Sequence, residues 1–165
     1  MEELRSLLAS DHRQTLEFFF VHLQDVVEAP VDRQELLYNA SVLAHYAQVS
    51  TCATGDMPTP SSLGRIFDQY VLDQSLADDA EMMESAGAQC LLLAGFFADQ
   101  MRVRHNVRWY AGLGAGFYRR AADCARSPKT AHVMWAMAEH FEPWRQRHER
   151  LSRELRDQPY LLDRN

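Results

Sequence analysis

The sequence predicts an all-α fold: a single domain, 1–165, of five to seven helices bundled around a buried central helix at about 79–104. Three observations predict it. Apolar residues recur three and four apart along most of the chain, and no run alternates with the period of two that marks a strand. The stretch Gln89 to Phe97 is apolar on every side, the pattern of a helix covered all round. It is too short to cross a bilayer, which takes about 20 such residues. Finally, Met134, Met137, Phe141, Trp144, His148, Leu151 and Leu155 form one long helical seam of the a/d kind.

Taken in order, Glu3 to Ala9 is a short helical run. Ser10 or Asp11 then caps a helix carrying Leu16, Phe19, Phe20, Leu23, Val26 and Val27. Ala29-Pro30 stops it, because the residue before proline is pushed out of the helical region. Asp32 with Glu35 reads as a capping box. The helix it opens carries two stripes, one of Leu36, Ala40, Leu43 and Ala47, the other of Tyr38, Val42, Tyr46 and Val49. Thr54 to Pro60 is a loop, stiffened by two prolines. A helix with Leu63, Ile66, Phe67, Tyr70 and Val71 follows.

Asp78 and Glu81 repeat the capping pattern and open the central helix, whose buried stripe is expected at Met83, Ala86, Cys90, Leu93, Phe97 and Gln100. Gly87 and Gly95 interrupt it, each at a cost of up to about 1 kcal/mol against alanine; close approach of a neighbour is the expected reason. His105-Asn106 is a break or a bend. The next helix carries Val107, Tyr110, Gly114, Phe117, Ala121 and Cys124. Ser127-Pro128 starts the last run, serine as N-cap and proline at the first helical position. Pro143 kinks that run or divides it. Glu149 with Arg153 and Arg150 with Glu154 are expected as pairs on its outer face.

Composition is that of a globular protein, 47% hydrophobic and 24% charged, with a net charge of −6. An acidic balance argues against nucleic acid as the main partner, since phosphate binding rests on cationic side chains. Lys129 is the only lysine among the basic residues. The opening Met1-Glu2-Glu3-Leu4-Arg5 has no signal-peptide pattern. Three widely spaced cysteines, Cys52, Cys90 and Cys124, form no CxxC pair and fit free thiols in a reducing cytoplasm.

Two readings of function follow. The first is a cytoplasmic protein acting by protein–protein contact as a homodimer, with no membrane segment. The seam from Met134 to Leu155 and the double-striped helix from Leu36 to Val49 would supply the surface. The second is a small-molecule- or metal-binding bundle, an enzyme among its forms, with its site at the exit of the central helix.

If that helix continues past residue 104, Arg102, His105, Arg108 and Trp109 share one face beside Tyr110. Such a face holds an anion by charge-assisted hydrogen bonds, with Trp109 as a stacking floor. The simpler use of these residues is an Asp99–Arg102 pair and solvated arginines. A metal set would draw on Glu139, His140, Glu142 and His148 around Pro143, with His45 and His105 from other helices. No Glu-x-x-His or His-Glu-x-x-His motif backs it, and no cofactor is indicated by motif. Gly112 to Gly116 reads GxGxG, but it neither follows a strand nor opens a helix. Gly112 with Gly116, and Ala111 with Ala115, are expected to let helix backbones approach inside the bundle. Cys90 lies in an apolar run and is expected to be inert.

Overall fold

A computed structural model describes residues 12–52, 79–103 and 105–157. The architecture is all-α, with no strand among these residues. The helices are α1 (His12–Val26), α2 (Arg33–Cys52), α3 (Ala80–Leu91), a π-helical turn (Leu92–Phe96), α4 (Ala98–Met101), α5 (Val107–Cys124), α6 (Pro128–Glu139) and α7 (Phe141–Asp157). The expected helices at Glu3–Ala9 and Leu63–Val71, the Thr54–Pro60 loop and the Ser10–Asp11 cap lie outside the described residues. The chain divides into two compact units, 58–146 and 1–57 with 147–165.

In the unit 58–146 the buried helix is the core element. Asp79, one residue later than the expected Asp78, caps it, its carboxylate accepting the amides of Glu81 and Met82 at 3.1 and 3.2 Å. Met83, Ala86, Cys90 and Leu93 are fully enclosed. The expected stripe then fails. The Phe97 amide donates to the Leu92 carbonyl, five residues back, at 2.8 Å. A π turn holds one residue more than an α turn, so the inward face advances by one. Ala98 and Met101 continue it, whereas Phe97 is half-buried and Gln100 exposed.

The helix then breaks. Asn106 caps α5, accepting the Trp109 amide at 3.3 Å. α3 and the π turn pack on α5, and α5 packs on α6. Tyr110, Gly114, Phe117, Tyr118 and Ala121 form the buried face of α5. Close approach occurs at Gly114, where an added Cβ would lie 2.8 Å from the Cβ of Cys90. At Gly87 it would press on the Tyr118 ring at 3.0 Å. Among the described residues Gly112 and Gly116 do not serve helix approach: both are exposed, and a Cβ there meets nothing within 4 Å.

Ser127 caps α6 through the Thr130 amide at 3.1 Å, with Pro128 in the first turn. The seam divides at His140, and Pro143 falls in the first turn of α7, where its missing N–H breaks no helical bond. The phase of the seam survives: all seven of its residues, from Met134 to Leu155, are buried. It is interior, so it offers no contact surface.

In the other unit α1 packs on α2. α1 buries Thr15, Phe19, Leu23 and Val26; α2 buries Leu36, Ala40, Leu43 and Ala47. Asp32 caps α2, its carboxylate accepting the amides of Gln34 and Glu35 at 2.7 and 3.3 Å. Of the second stripe, Tyr38, Val42 and Tyr46 are half-buried. Arg150 turns to α1 rather than to Glu154, donating to the Val26 carbonyl at 3.1 Å and to Glu28 at 2.7 Å. It thereby satisfies a carbonyl of the last turn of α1, a group without a helical partner. Glu149 does pair with Arg153, at 2.7 Å, but from a buried rather than an outer position.

Candidate functional site

The exit of the buried helix is not one continuous helical face, because one helix ends at Met101 and the next starts at Val107. Arg102 pairs back to Asp99 at 3.1 Å. His105 and Arg108 are exposed, Val103 is 80% exposed and Trp109 47% exposed. Tyr110 turns inward. Its ring meets Trp109 edge-on at 4.9 Å between centroids and His105 at 6.4 Å. Burial, then the nearby Cys90, raises the Tyr110 phenol above its ordinary value, so it is neutral at physiological pH. The break brings His105, Trp109 and Tyr110 together as an aromatic corner and sets Arg102 apart on its own ion pair.

Behind this exit lies a polar contact that the sequence reading missed. Arg145 is buried. Its guanidinium grips Glu142 with two bonds, 2.9 and 2.7 Å, and donates to the Ala94 carbonyl in the π turn at 3.0 Å. The Arg145 bond holds the Glu142 carboxyl below its ordinary value. Burial opposes this, while a bond from Gln146 and the charges of Arg145 and Arg108 reinforce it. The planar fork of arginine suits two carboxylate bonds and a third to a carbonyl; a lysine ammonium cannot reproduce that set. Arg145→Lys is therefore expected to lower stability by about 1–3 kcal/mol, the cost of leaving buried partners unmet. Urea denaturation checks it, and a midpoint unchanged from wild type would remove Arg145 from the scaffold of the exit.

The outer face of α5 continues from Trp109. Trp109, Gly112, Gly116, Arg119 and Asp123 are all exposed and follow the three-four spacing of one helical stripe. From α6, Trp135 lies beside it, 43% exposed, with the Arg119 guanidinium 5.4 Å from the ring centroid, a cation–π contact. Neither Arg119 nor Trp135 was singled out from sequence. Their pairing depends on how α5 packs on α6, which spacing within one helix does not report.

The residues proposed as metal ligands fall in both units. Glu139 and His140 are exposed, and Glu142 is engaged by Arg145 and Gln146. In the other unit His45 is exposed and His148 is fully enclosed. No group of three or more His, Cys, Asp or Glu side chains able to hold a metal ion occurs among the described residues.

His148 has a different role. Asn39, also missed from sequence, donates its amide N–H to the Glu35 carbonyl at 2.8 Å, which leaves Oδ1 facing His148 Nε2 at 2.8 Å. Oδ1 only accepts, so Nε2 carries the proton. Nδ1 is then a bare lone pair with no hydrogen-bond partner among the described residues. Desolvation lowers the imidazole to about 3, so it is neutral.

A cleft of about 620 Å³ opens elsewhere in the unit 58–146. Asp79, Glu81 and Glu84 from the start of α3 face Arg126, Ser127 and Thr130, over a floor that includes Ala121 and Met134. None of the exit residues lines it. Cys124 borders this cleft, whereas burial drives the Cys90 thiol up to about 12, far from any nucleophilic role at neutral pH. No helix among the described residues is long and apolar enough to cross a membrane.

No match was found. Protein-family models, curated proteins and solved structures were each compared with the chain, and none matches.

Proposed function

We propose that the protein acts through protein–protein contact, using the outer face of α5 and the exposed loop that leads into it. One observation carries this reading. Trp109 on α5 and Trp135 on α6 are both more than two-fifths exposed, and Arg119, on the same exposed stripe of α5 as Trp109, stacks on the Trp135 ring. Tryptophan, tyrosine and arginine are the residues enriched where protein interfaces concentrate their binding energy.

The chemistry of the other candidate groups supports the same reading. The buried thiol is protonated, and the buried imidazole is neutral and enclosed. The reading also keeps the protein in the cytoplasm, where Cys90 and Cys124, both free thiols, stay reduced.

Native mass spectrometry of untagged protein as purified tests it. A mass made of protein chains alone is expected. A stoichiometric excess from a metal or small molecule on a single chain would overturn the reading and return attention to the cleft and the exit.

A further inference from the structure

We draw no further inference here: the strongest candidate, the cleft of about 620 Å³ between the start of α3 and the α5–α6 turn, is built from two helix N-termini whose cap side chains, Asp79 and Ser127, are engaged by their own amides, a cluster of carboxylates and the lone thiol of Cys124, and among the described residues no buried polar side chain without a partner points into it.

Discussion

Gly114→Ala is expected to destabilise the protein, and Gly114→Leu to prevent it from folding. The new Cβ would stand 2.6 Å from Cε2 of Phe141 and 2.8 Å from Cβ of Cys90. Neither neighbour yields easily. The Cys90 Cβ is fixed by the backbone of the buried helix, and the Phe141 ring packs against Tyr118 with centroids 6.1 Å apart. Overpacking of this kind costs about 1–3 kcal/mol, against a helix-propensity gain of at most about 1 kcal/mol for leaving glycine. The net loss for alanine is about 1–2 kcal/mol, and leucine adds three more heavy atoms to the same space. Gly112→Ala is the internal control. There the Cβ meets nothing, so only the propensity gain remains and the sign reverses. Chemical denaturation of both variants at low protein concentration decides the point. Equal stabilities would show that the α3–α5 approach is not set by Gly114.

Acid is expected to weaken the fold through His148. Its folded-state value is about 3, against about 6.5 for an unfolded chain. Above pH 6.5 both states are neutral there and stability is complete. As pH falls below 6.5 the unfolded chain takes up a proton that the folded protein refuses. Stability then falls by about 1.4 kcal/mol per pH unit until the folded value is reached. Between pH 6.5 and 4.5 the loss is about 2–3 kcal/mol, much of a typical domain's stability. Denaturation midpoints at a series of pH values measure the slope.

His148→Leu is expected to flatten that slope. It also costs about 1–3 kcal/mol at neutral pH, because the Asn39 carbonyl oxygen loses its donor. Adding Asn39→Leu removes the amide oxygen left facing leucine and recovers part of the loss. An acid slope unaltered by His148→Leu would exclude this imidazole as its source.

The sequence made much of this architecture legible because burial imposes a helical period. The stripe Leu36, Ala40, Leu43 and Ala47 is buried as its spacing requires, and so is the seam from Met134 to Leu155. The seam held its phase through Pro143 because the helix restarts at Phe141 with the proline in its first turn. The register past Leu93 was not legible. A π turn leaves no trace in the apolar pattern of a segment that is apolar all round.

The glycines of α5 were misassigned for a related reason. Period shows which residues share a face, not which face turns inward, and α5 carries small and aromatic residues on both. The polar partnerships were the least legible part. Asn39 and His148 are 109 residues apart, and nothing local in either helix names the other. Arg145 offered a weak hint in its spacing from Glu142, but its bond to Ala94 depends on the fold. At the candidate surface the sequence pointed to Trp109 and Arg108, which are exposed. It missed Trp135, which only the packing of α6 brings alongside.

The protected thiol of the central helix gives this molecule a built-in clock. Cys90 is wholly enclosed, whereas Cys124 is half-exposed. A thiol reagent reaches Cys90 only in molecules whose helix has swung open, so its labelling rate reports the free energy of that opening, read against Cys124 in the same chain. Peroxide faces the same barrier, and the sulfur at the centre of the fold is spared for as long as the fold is closed.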